Sequence, residues 1–484
     1  MNRKLILRVL GAILLIESAA MLPSLAVSLY YRDGDTAAIG YSILVVAAVG
    51  ALMWFVPRAR TNGHLRLKEG FIIVAIGWLL LSVGGTLPYL FSGTLPRFEE
   101  ALFESVSGFT TTGASVVTQF DGFPRGVMLW RVTTHWIGGM GVLVLTLALL
   151  PKLTGRTSHL VLAESPGPSL SKLVPQTGKT AKILYRIYIA LTLMEFISLM
   201  LCGLSPYDAA VHSLATAGTG GFSNYGASVA AFSNLSAELV ISLFMFLFGV
   251  NFAVYYKALI GNPVKAFFKD EEFRWYFSIA LTFILLLSLF NISYYQNYWT
   301  SLRYSVFELL STMSTTGFVV ADYTRWPVPS HVLIILAMFI GSCAGSTAGG
   351  IKVIRINMLC KLSRRSVRSA VSPRKVEVVR VDGRAVEESL LSQVAVFAVM
   401  YFAVVLIGAF IMSLENKFDM LTHFTASLTC VSNVGPGFGA VGPVSNFAGY
   451  GILGKLTGSV LMLFGRLELM PMFILFTRSA WHKY

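Results

Sequence analysis

Ten apolar runs recur along the chain, at residues 5–30, 37–57, 70–92, 125–150, 183–204, 236–260, 274–295, 329–358, 388–413 and 448–477. A helix needs about 20 such residues to cross a hydrocarbon layer, so the runs predict ten crossings of a bilayer. Composition agrees: 55% of residues are hydrophobic, 13% are charged, and the mean hydropathy is +0.69. Soluble domains carry roughly 25% charged residues. The start of the chain, with Arg3 and Lys4 before an apolar run, is similar to a secretory signal. No small-residue cleavage site precedes Arg32, so this run is read as the first helix.

The formal net charge is +14, and its placement is informative. Lysine and arginine collect at residues 3–4, 58–68, 152–182, 257–274, 352–384 and 478–483, which are alternate ends of the predicted crossings. The positive-inside rule then puts both termini and these segments in the cytoplasm. Nucleic-acid binding is a poor fit, because the basic residues flank apolar helices instead of forming one face. The four cysteines, Cys202, Cys343, Cys360 and Cys430, contain no CxxC pair and read as small core residues without a metal or disulfide framework.

Between crossings lie four segments that resemble one another: FESVSGFTTTGAS at 103–115, AVHSLATAGTGGFS at 210–223, FELLSTMSTTGF at 307–318 and FTASLTCVSNVGPG at 424–437. Each is a helix-like stretch that runs into small or hydroxylated residues and a glycine, at Gly113, Gly220, Gly317 and Gly435. Each has one crossing before it and one after it. The fold predicted is an all-α polytopic membrane protein. It has an N-terminal transmembrane helix pair at 1–68 and four pseudosymmetric helix–pore-helix–loop–helix repeats around a pore, at 69–152, 153–260, 261–360 and 361–484.

A half-helix that enters the membrane and returns leaves loop backbone at membrane depth, which is tolerated only where protein or a watery cavity surrounds it. Four such loops around an axis present carbonyl oxygens that replace the hydration shell of a cation. Glycine suits the turn because it adopts φ values closed to other residues. Helix C-termini aimed at the axis add roughly half a negative charge each. The loop tips carry no ring of carboxylates or bases, which argues against a divalent-cation filter and against an anion pore. One isolated TTTG stretch would read as an ordinary turn; four in the same helical context favour the pore.

These residues resemble the TrkH/TrkG/KtrB/HKT superfamily of K⁺ transporters, its TrkH branch most closely, over nearly the whole chain. The matches are TTTG at 110–113, STTG at 314–317, NVGPG at 433–437, GSCAGSTAGGIK at 341–352 and GRLE at 465–468. The resemblance implies K⁺ uptake through a channel-like subunit, a homodimer, and a cytosolic TrkA-type regulator that holds the nucleotide. The transported K⁺ is then the only ion expected on this chain, at a filter of Thr110, Thr111, Thr112, Gly113, Gly218, Thr219, Gly220, Ser314, Thr315, Thr316, Gly317, Asn433, Val434 and Gly435. Four filter glycines go, in the family, with K⁺ over Na⁺. The second loop departs: it reads AGTGG at 217–221, with an added glycine on each side, and its carbonyl register stays open. An ion-coupled K⁺ symporter, driven by H⁺ or Na⁺ with the same filter, stays open as an alternative.

The run 329–358 contains four glycines, with Ser342, Ser346 and Thr347, within residues 341–350. Each glycine weakens a helix by about 1 kcal/mol relative to alanine. Close helix packing through small residues is one reading. The favoured one is an unwound loop across the pore, a gate made of Gly345, Ser346, Thr347, Gly349, Gly350 and Lys352, with Arg466 from the last run. Arg466 lies inside apolar sequence, where a charge costs at least ~2.5 kcal/mol, so it contacts a carboxylate or carbonyl or forms a positive barrier under the filter. The resemblance supports the barrier. Lys352 also suits the cytoplasmic membrane surface.

Among the remaining polar residues, Glu104 and Glu308 read as caps of the pore helices or as cation attractors at the outer mouth, with capping favoured. His135 and His212 read as satisfied core histidines, and Asn251 as a hydrogen-bonding group between helices. The basic segment 359–387, with Arg364, Arg365, Arg368, Arg374, Lys375, Arg380 and Arg384, suits anionic lipid headgroups or an acidic face of the regulator. No HExxH or GxSxG motif and no well-set carboxylate pair points to an enzyme.

Overall fold

The computed structural model describes residues 3–56, 67–141, 177–374, 377–475 and 477, and its elements are helices apart from one short hairpin. At the N-terminus, α1 (Arg3–Ala20) and α2 (Leu22–Tyr31) form one span of 29 residues. Pro23 lacks the N–H that would continue the ladder and sits in the first turn of α2, so the helix restarts there. The span packs on α3 (Thr36–Phe55) through glycines: a Cβ built on Gly11 would lie 2.7 Å from the Gly50 carbonyl oxygen. Small residues let the two backbones meet, as in other membrane helix pairs.

Next come α4 (Leu67–Gly84), α5 (Leu87–Ser92), the half-helix α6 (Phe98–Phe109) and α7 (Arg125–Gly139). Then follow α8 (Thr177–Leu201), the half-helix α9 (Pro206–Gly218), α10 (Leu235–Phe248) and α11 (Phe252–Ile260). The third group is α12 (Pro263–Lys269), α13 (Glu271–Phe290), α14 (Ile292–Tyr295), the half-helix α15 (Tyr298–Met313), α16 (Val328–Ile340) and α17 (Val353–Val371). The last is α18 (Glu388–Ser413), the half-helix α19 (Met420–Ser432), α20 (Ile452–Arg466) and α21 (Met470–Leu475). Local sequence starts three of the half-helices. Ser205 accepts from the Asp208 N–H before α9, Asn297 from Trp299 and Thr300 before α15, and Asp419 from Thr422 before α19. Outside the membrane spans, Asp419 is held below the usual carboxylate range, first by the Thr422 hydroxyl.

Among the described residues, six helices are long and apolar enough to cross a membrane, plus the α10–α11 pair. The difference from ten straight crossings has physical causes. The run 236–260 bends by 88° between α10 and α11, where Asn251 caps α11 by accepting from the Ala253 N–H and, as expected of a group between helices, also bonds to Glu272 of α13. The run 329–358 breaks at Gly341, leaving a helix of 13 residues. The run 448–477 breaks after Arg466, with Glu468 and Leu469 in left-handed backbone at φ 55° and 65°. The part of the run 125–150 beyond residue 141 lies outside the described residues.

The basic segment is folded. Strands β1 (Arg380–Val381) and β2 (Arg384–Ala385) pair antiparallel around Asp382 and Gly383, both at positive φ. Glu271, at the start of α13, receives the Asp382 N–H at 3.0 Å and bonds to Lys361, while its own N–H donates to Asp382 at 2.8 Å. Arg365 pairs with Glu388 at 2.5 Å and Arg368 with Glu377 at 2.6 Å. Lys375 lies outside the described residues.

Candidate functional site

The C-termini of the four half-helices meet, and each ends in the same way. Thr111, Thr219, Thr315 and Asn433 are left-handed, at φ 54°, 54°, 57° and 55°. The next residue closes a six-residue turn back onto its helix: Thr112 N–H to Ser107, Gly220 to Ala215, Thr316 to Ser311 and Val434 to Thr429, at 2.9, 3.0, 2.9 and 3.0 Å. A glycine at positive φ follows, at Gly113, Gly221, Gly317 and Gly435, with φ 78°, 73°, 78° and 101°. This is a Schellman ending with threonine at the left-handed position in three of the four loops. A β-branched residue is an outlier there, and such strain, of order 1–3 kcal/mol per residue, clusters at functional sites.

The shared pattern settles the second loop. Its counterpart to Gly113, Gly317 and Gly435 is Gly221, and Gly220 matches Thr112, Thr316 and Val434. Aligning that loop on Gly220 therefore misses by one residue, because two adjacent glycines leave the choice invisible until backbone angles are known.

The loops close a ring. A Cβ built on Gly113 would lie 2.0 Å from the Gly220 carbonyl oxygen, on Gly221 1.9 Å from that of Thr316, on Gly317 2.2 Å from that of Val434, and on Gly435 2.7 Å from that of Thr112. Loop one thus abuts loop two, two abuts three, three abuts four, and four abuts one. In each contact the glycine of one loop faces the carbonyl that precedes the glycine of the next. Around this ring, Thr110 shares a hydroxyl contact with Thr112 at 2.8 Å, and Ser314 with Thr316 at 2.7 Å. Asn433 donates to Thr112 Oγ1 at 2.9 Å. Gly218 has no room for a side chain because the His135 carbonyl oxygen stands 2.4 Å from its Cβ position.

Each half-helix also holds the chain that leaves its loop. Glu104 accepts from the Val116 N–H at 2.9 Å; Glu308 accepts from Val320 and Ala321 at 2.7 and 2.8 Å. His212 Nε2 meets Ser223 Oγ at 3.1 Å, and Thr425 Oγ1 accepts from the Phe438 N–H at 2.9 Å. Counted from the structural glycines, Glu104, His212 and Glu308 hold one equivalent position. The capping expectation for the two glutamates fails, since α6 and α15 begin at Phe98 and Tyr298 and both carboxylates sit buried in mid-helix. His135 is a satisfied core residue: Nδ1 lies 2.8 Å from the Gly108 oxygen, and Nε2 accepts from the Phe222 N–H at 3.3 Å.

The segment between α16 and α17 is non-helical and lies against the half-helix ends. Gly349 N–H donates to Thr315 Oγ1 at 2.7 Å, and Gly350 N–H to the Ser432 carbonyl at 2.9 Å. Arg466 reaches three carbonyls, those of Thr347, Gly138 and Gly139, at 2.7, 2.5 and 2.6 Å, so it ties α20 to this segment and to the end of α7. Lys352 is buried at 2% exposure and bonds to the Ala348 carbonyl, so it does not mark a membrane surface. Gly345 abuts Asn251, and Ser346 donates to the Cys343 carbonyl within the segment at 2.6 Å. Glu468 pairs with Arg355 at 2.5 Å.

Sequence reasoning passed over Arg131, a buried cation on α7 whose partner, Glu104, stands 27 residues away. Its signal was a charge within an apolar run, which marks function by default in membrane segments.

Comparison with known proteins places this geometry. A family model described as TrkH, cation transport protein, matches residues 36–483. The chain is 35% identical to the Trk system potassium uptake protein TrkH of Salmonella typhimurium and 34% identical to that of Escherichia coli K12, each over 100% of both chains. The crystal structure of the potassium transporter TrkH from Vibrio parahaemolyticus superposes with a TM-score of 0.89 at 32% identity, covering 100% of both chains.

Proposed function

The chain belongs to the TrkH family of cation transport proteins, and we propose that it takes up K⁺ across the cytoplasmic membrane through a gated, channel-like pore. Its filter is the ring formed by the loops at residues 110–113, 218–221, 314–317 and 433–435. The observation that carries this reading is the cyclic contact of Gly113, Gly221, Gly317 and Gly435 with the carbonyls of Gly220, Thr316, Val434 and Thr112. Carbonyl oxygens replace the water lost by an entering cation, and four converging helix C-termini favour positive charge. The full-length relatives are named as potassium uptake proteins.

The segment 341–352 is the gate in this proposal, and Arg466 holds it closed. Arg466 places a cation against the half-helix ends and occupies carbonyls of Thr347, Gly138 and Gly139. Opening replaces those hydrogen bonds and withdraws the charge. A homodimer and a cytosolic TrkA-type nucleotide-binding regulator complete the proposal, in line with the Trk system naming of the relatives. So do cytoplasmic termini, which the basic segments support, and the division into an N-terminal pair and four repeats.

The test is ion flux into liposomes carrying the purified protein, under separate K⁺, Rb⁺ and Na⁺ gradients. K⁺ and Rb⁺ enter and Na⁺ is retarded; equal entry of Na⁺ would remove the filter assignment.

A further inference from the structure

Arg131 stands behind the first two loops with side-chain exposure of 2%, against 0% for Glu104. Each of its three nitrogens donates a hydrogen bond. Nε donates to Glu104 at 2.5 Å, Nη1 to the Ser223 carbonyl at 3.0 Å, and Nη2 to Ser115 Oγ at 3.0 Å, with Met128 Sδ at 3.7 Å from Nη1. Its Cζ lies 3.5 Å from the centre of the Phe222 ring. Ser115 follows Gly113 by two residues, and Ser223 follows Gly221 by two. The fork therefore grips one and the same position in two neighbouring loops.

The other loops are held differently. Glu308 receives only backbone N–H groups from its own loop, and Thr425 does the same in the fourth. A rigid planar fork fixes geometry in a way that a lysine ammonium does not. A binding constellation must be held within about 0.5 Å to discriminate, and a side chain joining two loops sets their separation directly.

We propose that Arg131 is a positioning residue for ion selection, which sets the spacing of the first and second filter loops through its simultaneous bonds to Glu104, Ser115 and Ser223. This inference deepens the filter reading and rests on it. Replacing a buried charge pair with neutral residues of similar volume is often neutral for stability. That allows stability and selectivity to be separated.

The experiment compares the parent protein, Arg131→Met with Glu104→Gln, Arg131→Lys, and Gly113→Ser in liposome flux, with thermal unfolding measured on the same preparations. The double variant unfolds near the parent temperature, while its K⁺-to-Na⁺ flux ratio falls roughly tenfold, about 1.4 kcal/mol of discrimination. Arg131→Lys keeps the charge and loses the fork, so its ratio also falls. Should the double variant not reach the membrane, Arg131→Lys carries the test alone. A parent-like ratio in Arg131→Lys overturns the fork, and a parent-like ratio in the double variant overturns any role in selection. Gly113→Ser separates the two levels. If it alone changes the ratio, the filter stands and the inference falls; if it too leaves the ratio unchanged, both fall.

Discussion

The carbonyl oxygen of Gly220 lies 2.0 Å from where a Cβ on Gly113 would stand, so residue 113 has no room for a side chain while the second loop keeps its course. The same exclusion recurs around the ring, and at Gly221 the obstacle is the Thr316 oxygen at 1.9 Å. Since these atoms are backbone, relief requires a shift of the carbonyls that the proposed filter presents to the ion. Gly221→Ala therefore behaves like Gly113→Ala and Gly317→Ala, with the K⁺-to-Na⁺ flux ratio reduced roughly tenfold. Flux of both ions through each purified variant checks this. A parent-like ratio in Gly221→Ala alone would return the register to Gly220.

Glu308 supports the third loop by accepting two N–H groups, from Val320 and Ala321, at a fully buried position. An unsatisfied buried donor costs about 1–3 kcal/mol. Glu308→Ala strands both donors and lowers the unfolding temperature in detergent. Both N–H groups donate to Oε1, so Glu308→Gln, whose amide oxygen accepts both, stays near the parent. Equal melting of all three proteins would mean that the leaving chain is held by something else.

Several features of the candidate site are legible in the sequence, and the misses have physical causes. The glycine-ended loops, the weak helix at 341–350 and the isolated Arg466 stand out because each breaks the apolar pattern of a membrane helix. The register of the second loop was not legible, since the deciding quantity is φ at Gly221 and Thr219. That one-residue uncertainty also hid His212, which falls in line with Glu104 and Glu308 only when the loop is aligned on Gly221. Glu104 and Glu308 do not cap their helices, because the half-helices start several residues earlier than the small-residue pattern suggests. At the bend between α10 and α11, Asn251 supplies a local cap, but the bonds of Gly249 and Phe252 to Cys343 and Gly345, and the Glu468–Arg355 pair after Arg466, join distant parts of the chain that no local pattern encodes.

The N-terminal pair has a structural role that can be measured. Asp35 accepts the Val127 N–H at 2.9 Å and Asp33 the Arg125 N–H at 3.0 Å, so the turn between α2 and α3 caps α7. That helix carries Arg131, His135 and the two carbonyls bound by Arg466. Loss of a cap costs about 0.5–2 kcal/mol. Asp35→Ala lowers the unfolding temperature, while Asp35→Asn, which keeps an acceptor, stays nearer the parent. Identical thermal stability in the alanine variant would show that α7 needs no cap from this turn.

Arg466 donates to three carbonyls from two other parts of the chain, and hydrogen bonds from a charged donor contribute about 1.5–3 kcal/mol each. The bond to Thr347 ties α20 to the segment 341–352, whose Gly349 and Gly350 donate to Thr315 and Ser432. A variant without them destabilises the closed arrangement more than an open one, because an open gate has already given them up. A bias of one or two kcal/mol shifts a two-state ratio by about 5–30-fold. Arg466→Ala therefore raises K⁺ flux through the purified protein alone, and Arg466→Lys, which reaches fewer carbonyls, raises it less. Shortening the stretch 345–350 acts in the same direction by removing the barrier itself. The measurement is Rb⁺ tracer entry at a fixed K⁺ gradient, with H⁺ and Na⁺ gradients set to zero and then imposed singly. Entry at the parent rate in both variants removes the gate assignment. Entry that follows the H⁺ or Na⁺ gradient instead of the K⁺ gradient identifies coupled transport, since a pore released from its gate conducts along the K⁺ gradient alone.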